Sequence, residues 1–166
     1  MTKLRLRSAL TLLAVATVSV VPAIAAGHVV PAHSAAATVV QTDTLKGYGK
    51  VVAASNGHVL YLSDSDPKNR SRCSAACQKV WKPYLAPGGV TAKARSGLNA
   101  KLLGTIKLTG GRVQATYNGH PLYEYAKDRR AGQMNGQALY QFGGDWYLVG
   151  PKGKAITCQP GLICGY

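Results

Sequence analysis

Two eleven-residue stretches of this chain repeat each other at a fixed spacing. Residues 56–66 read Asn-Gly-His-Val-Leu-Tyr-Leu-Ser-Asp-Ser-Asp, and residues 118–128 read Asn-Gly-His-Pro-Leu-Tyr-Glu-Tyr-Ala-Lys-Asp. Six positions match: Asn56/Asn118, Gly57/Gly119, His58/His120, Leu60/Leu122, Tyr61/Tyr123 and Asp66/Asp128, all 62 residues apart. A constant offset of this kind argues duplication of one supersecondary unit.

The unit reads as a hairpin. Asn-Gly is the strongest two-residue hairpin signal, because both residues tolerate the positive φ of a type I′ turn. Extended stretches precede each Asn-Gly, at Lys50–Ala54 and Arg112–Tyr117. Second strands follow, at 58–63 and 120–125. Alternation places Tyr123 and Tyr125 on one face and Leu122 and Glu124 on the other. Asp66 and Asp128 fall just past the strands, where a carboxylate caps a turn. Pro121 lacks an N–H and suits a strand start or an edge. Around the hairpins, Ser74–Trp81 is predicted as a short helix ended by Pro83, and 84–97 as a Pro/Gly loop. Leu98–Leu103 is predicted as a helical turn, Thr105–Leu108 as a strand and 128–137 as a loop. Ala138–Phe142 and Trp146–Val149 make a final strand pair. The expected fold is mainly β: two pseudo-repeated antiparallel hairpin units with one or two short helices in a single domain.

The domain is expected over 45–157, after a secretory signal at 1–26 and a flexible leader at 27–44, and before a disulfide-clamped tail at 158–166. Lys3, Arg5 and Arg7 form a basic start, Ser8–Val21 is uncharged and largely apolar, and Ala23-Ile-Ala-Ala26 offers small residues for cleavage after Pro22. An uncleaved membrane anchor is the competing reading; the apolar run is near the short end of the ~17–25 residues that span a bilayer. The chain carries 20 Lys and Arg against 6 Asp and Glu, a formal charge of +14. Without the three basic residues of the signal, 17 face 6, a charge of +11. At 46% hydrophobic it is no disordered polycation. Six acids argue against an all-carboxylate metal centre or a multi-acid cleft.

The four cysteines, Cys73, Cys77, Cys158 and Cys164, fit an exported chain with two disulfides. Three pairings are possible. The local ones, Cys73–Cys77 and Cys158–Cys164, close the smallest loops, each worth only ~2 kcal/mol on the loop-entropy account. A regular helix over 74–80 would hold Cys73 and Cys77 awkwardly for such a bond; a bend near Cys73 relieves that. The alternative for this pair is a redox or metal site, with Arg70, Arg72 and Lys79 favouring a thiolate. The spacing is not Cys-x-x-Cys, and zinc would need two further ligands.

Beyond the repeat, the order of motifs is specific. Tyr61 and Asp66 are followed by Ser71, Cys73, Cys77, Trp81 and Pro83. Then come Leu102–Thr105, Thr116–Gly119, Pro121–Tyr123, Tyr125 and Asp128. Gly136-Gln137 and Gly143–Pro151 close the series. Over about 110 residues this resembles the bacterial "secreted repeat of unknown function" family, described as predicted lipoproteins with a Tyr-x-[Phe/Trp/Tyr]-x-x-Asp motif. The chain departs from it at Ser63, which replaces the aromatic of the first motif. It has no Cys before Cys73 to carry a lipid, and it adds the Cys158/Cys164 tail. The resemblance implies export and brings no activity with it.

The candidate ligand surface is Tyr61, Asp66, Tyr123, Tyr125 and Asp128. His58 and His120, near the turns, are candidate ligands for a metal or haem between the repeats; the more distant His28 and His33 read as solvated. The competing reading makes the tyrosines packed aromatics with hydrogen-bonded hydroxyls, and the aspartates turn caps. No Gly-x-Ser-x-Gly elbow or phosphate loop is present, so no catalytic residue is assigned, no enzyme is expected and no cofactor is called for. The functional expectation is an exported or envelope-associated, non-enzymatic binding or structural module. The alternative is an exported redox or metal/haem protein using Cys73/Cys77 or His58/His120. The expected partners are anionic cell-wall polymers or lipid head groups, attracted by charge. No specific nucleic acid is expected, and the sequence names no protein partner.

Overall fold

β-branched and aromatic residues between glycine-rich turns give many short strands here. The computed structural model describes residues 36–93 and 96–157. The expected signal segment at 1–26 and the tail at 158–166, with Cys158 and Cys164, lie outside the described residues. Eleven strands follow one another among those described: β1 (Thr38–Leu45), β2 (Gly49–Ala54), β3 (Tyr61–Ser63), β4 (Trp81–Pro83), β5 (Val90–Ala92), β6 (Leu103–Lys107), β7 (Val113–Tyr117), β8 (His120–Pro121), β9 (Tyr123–Tyr125), β10 (Leu139–Gln141) and β11 (Gly144–Leu148). Among the described residues the helical content is three short 3-10 turns, Cys77–Lys79, Ala100–Leu102 and Thr109–Gly111. The mainly β expectation is met.

Four expectations need correction. The leader ends earlier than residue 44. Thr38-Val-Val-Gln-Thr-Asp-Thr-Leu45 is rich in β-branched residues, buries Val40 and Leu45, and pairs with β2 along its length as β1. No helix spans 74–81. The Cys73–Cys77 bond bends the chain into one 3-10 turn, and Trp81 is drawn into β4 opposite Tyr125. The 84–97 loop contains β5, which pairs in parallel with β1. Only the second Asn-Gly makes the expected two-residue turn, with Asn118 at φ 51° and Gly119 at φ 78°. In the first, Ser55 adds a residue. Ala54 closes on His58 across three residues, and of these only Gly57 has positive φ, at 84°, as in a three-residue loop ending in a left-handed glycine.

The strands form three sheets, β2-β1-β5, β10-β11-β3-β9-β4 and β6-β7-β8. Their registers show a pseudo-two-fold arrangement. β1 lies against β2 with Val40 opposite Ala54, and β6 against β7 with Leu103 opposite Tyr117. β3 and β9 meet in the middle of the large sheet with Tyr61 opposite Tyr123, so the pseudo-axis passes between equivalent residues. The strands flanking them are exchanged. β4, which follows the first repeat, pairs with β9 of the second; β11, which follows the second, pairs with β3 of the first. Trp81 of β4 and Trp146 of β11 therefore occupy equivalent places, and their rings stack at 4.0 Å with 5° between planes. The same exchange recurs in the backbone: Tyr84 N–H donates to Leu122 C=O at 2.9 Å, and Val149 N–H to Leu60 C=O at 3.3 Å.

Two cores result. An aromatic one holds Tyr61, Trp81, Tyr123, Tyr125 and Trp146 with Val51, Cys77 and Leu148. An aliphatic one holds Val40, Val52, Leu60, Leu62, Ala115 and Leu122 around Tyr117. The alternation expected in 122–125 holds: Tyr123 and Tyr125 face the first core and Leu122 the second.

Candidate functional site

The motif residues converge on the pseudo-axis, and they do so crosswise. The Tyr61 hydroxyl donates to Asp128 Oδ2 at 2.5 Å, and the Tyr123 hydroxyl donates to Asp66 Oδ2 at 2.6 Å. Each tyrosine thus bonds the aspartate of the other repeat. Each aspartate uses its second oxygen on its own loop. Asp66 Oδ1 accepts from the Arg72 N–H at 2.6 Å, and Asp128 Oδ1 from the Asn135 N–H and side-chain amide, both at 2.9 Å. Ser71 Oγ, 2.7 Å from the Tyr123 oxygen, donates to it, and the Gly136 N–H reaches the Tyr61 oxygen at 3.3 Å. The loops after the aspartates also cross over: Asn69 N–H donates to Gly119 C=O at 2.7 Å, and Gly132 N–H to Gly57 C=O at 3.2 Å.

These groups are shut away from water. Tyr61 and Tyr123 are fully buried, and each aspartate retains 6% exposure. Burial, then the hydrogen bond to Asp128 and its charge, hold the Tyr61 hydroxyl far above the ordinary phenol value. Burial, then the charge of Asp66 and the bond to it, do the same to Tyr123. Burial also raises the Asp66 carboxyl, against the lowering pull of the Tyr123 hydrogen bond, the Arg72 N–H and the Arg72 charge. The phenols therefore stay protonated and act as donors. The five ligand candidates come together, but around one another: four share these bonds, and Tyr125, 4% exposed, stacks on Trp81 at 4.4 Å. This arrangement ties two loops and two repeats into one unit.

The remaining candidates are scattered. His58 and His120 are half-buried: His120 opens β8, and His58 lies between the first Asn-Gly turn and β3, its C=O accepting from the Ala54 N–H at 2.8 Å. His120 Nδ1 is buried without a hydrogen-bond partner, and burial, then Lys68, lowers its pKa. Among the described residues no group of three or more His, Cys, Asp or Glu could hold a metal ion. Cys73 and Cys77 are joined in a disulfide with Cα atoms 5.2 Å apart.

The β10–β11 hairpin, expected as a strand pair, has surface residues that no sequence motif marked as candidates. Tyr140 is 73% and Phe142 51% exposed there. Beside it lies an open cleft of about 530 Å³ lined by Tyr125, Lys127, Arg129, Asn135, Leu139 and Gln141. One signal was available: the chain has a single phenylalanine, and it precedes Gly143-Gly144 at a turn.

Comparison with known proteins bears on one half of this geometry. Residues 104–150 match the family described as a secreted repeat of unknown function. They run from within β6 to just past β11, so the match lies in the second half of the chain. The equivalent stretch of the first half, by the strand registers, runs from Gln41 in β1 to Leu85 after β4. The match supports an exported protein of unknown activity. No curated protein and no solved structure matches the chain. Among the described residues no helix is long and apolar enough to cross a membrane.

Proposed function

We propose that this chain is an exported, non-enzymatic module that adheres by charge to anionic surfaces of the cell envelope, wall polymers or lipid head groups. One observation carries the reading. Of the six acids, Asp66 and Asp128 are buried and bonded internally, which leaves Asp43, Asp64, Glu124 and Asp145 to offset the basic residues. Cations are spread over the surface, as Lys68, Arg70 and Lys79 in the first half and Lys101, Arg112 and Arg130 in the second. A rigid β framework with distributed positive charge attracts polyanions without a shaped pocket, and that attraction is screened by salt.

The test is retention on a purified anionic wall fraction across a salt series. Retention at low ionic strength that is lost on approaching ~1 M salt, where the screening length falls to about 3 Å, supports the reading. No retention at low salt, or retention indifferent to salt, overturns it.

A further inference from the structure

A second element points to a particular kind of surface. β10 and β11 are joined by a two-residue turn, Phe142-Gly143, with Gln141 opposite Gly144. Both turn residues have positive φ, 54° at Phe142 and 81° at Gly143. Glycine or asparagine adopts this region at little cost, whereas a bulky aromatic there is a strained exception. The strained residue is also the chain's single phenylalanine, and it stands 51% exposed. A Cβ added to Gly143 would meet nothing within 4 Å, so the turn projects into open space. Two rungs back, Tyr140 is 73% exposed. Nothing in the packing of the fold calls for either ring.

We infer that the β10–β11 turn is a lipid-docking tip that enters the head-group region of an anionic phospholipid bilayer. The shape selects this partner. A small ligand needs a concave site, and this is a convex apolar point. Phe142 would lie among the upper acyl chains, and Tyr140, amphipathic, at head-group level. Lys127 and Arg129, which line the cleft beside β10 with Leu139 and Gln141, meet phosphates. Asp145 lies opposite Tyr140, and its N–H is bonded to Asp64 Oδ1 at 2.8 Å. These two carboxylates face the same membrane and limit the depth of entry to the outer rungs. This inference rests on the envelope reading above, but the two fail separately, because the Phe142-Gly143 turn itself carries no charge.

The experiment is co-sedimentation of the protein with vesicles of phosphatidylcholine containing phosphatidylglycerol. Vesicles of phosphatidylcholine alone and the soluble anionic wall polymer serve as parallel arms. Phe142→Gly relieves the backbone strain, so this variant should melt higher than the wild type and cannot fail merely by unfolding. It should nevertheless bind the anionic vesicles about 10-fold more weakly, the order expected for withdrawing one aromatic ring from an apolar environment. Its retention on the wall polymer should not change. Tyr140→Ser should weaken vesicle binding in the same direction, and Asp145→Asn should strengthen it. Equal vesicle binding by wild type and Phe142→Gly overturns the tip, even if both are released by salt; that outcome leaves adhesion by charge alone. Binding to the polymer but not to vesicles overturns it as well.

Discussion

Each crossed tyrosine–aspartate pair places a buried carboxylate at the end of a phenol from the other repeat. Removing the phenol leaves that carboxylate short of a donor in a dry site. Tyr61→Phe and Tyr123→Phe should each cost about 1.5–3 kcal/mol, the range for hydrogen bonds to charged groups. Urea unfolding measures this, and a double-mutant cycle of Tyr61→Phe with Asp128→Asn should return a coupling energy that Tyr61→Phe with Asp66→Asn does not. His120 supplies a pH signature. Its folded-state pKa lies below the unfolded value of ~6.5, through burial and then Lys68. The unfolded chain therefore binds the proton more readily, and this contribution to stability, full above the unfolded value, is lost as pH falls through the folded one. Asp66 runs the other way: its raised pKa gives a contribution that is full below the unfolded value of ~3.9 and lost as pH rises through the folded one. Comparing wild type with His120→Gln isolates the histidine; a melting temperature that falls equally in both between pH 7.5 and 5.5 contradicts the assignment. Ser63 shows how far a residue can be read alone. The sequence marks it as the departure from the aromatic motif. The cause is visible only in three dimensions: β11 closes over it, and a Cβ on Gly144 would come within 2.8 Å of Ser63 Oγ.

At the scale of elements, the loops after β3 and β9 do equivalent work with different means. The first is shaped by Cys73–Cys77 and the second by Gly136, pressed so closely on the aromatic core that an added Cβ would lie 2.7 Å from Trp81 Cη2. Gly136→Ala should therefore destabilise by about 1–3 kcal/mol through overpacking. Replacing both cysteines by alanine should cost only about 2 kcal/mol, because the loop they close is short, and should leave the fold intact; collapse of the near-ultraviolet dichroism would show that the bond does more. Hairpin strands were legible from period-2 patterns flanking Asn-Gly and Gly-Gly. β4 was not. Ser74–Trp81 carries acceptable helix formers, and only the pairing of Trp81 with Tyr125, 44 residues on, makes it a strand. β1 was missed because an Ala/Thr/Val stretch reads equally as leader and as strand until a partner is known.

For the whole molecule, the repeat told which residues are equivalent but not which copy each one touches. Sequence periodicity cannot distinguish two units side by side from two that exchange strands. The equivalence of Trp81 and Trp146 was hidden too: 15 residues separate Asp66 from Trp81 in number, and 18 separate Asp128 from Trp146, so the alignment slips before it reaches them. The structure places the exchange at three levels: strands β4 and β11, the tyrosine–aspartate pairs, and the loop bonds to Gly57 and Gly119. The matched stretch, residues 104–150, therefore packs its buried aromatic residues against those of the first half, Trp146 on Trp81 and Tyr123 beside Tyr61. Cutting the chain between Ser96 and Gly97 separates the repeats, with one tryptophan in each fragment. The most direct measurement is far-ultraviolet circular dichroism of the fragments alone and mixed, beside their molecular masses in solution. The stacked Trp81–Trp146 pair should give an exciton couplet that appears on mixing, together with a one-to-one complex. A fragment that folds stably as a monomer, with no gain of signal when its partner is added, would contradict the interlocked-repeat account.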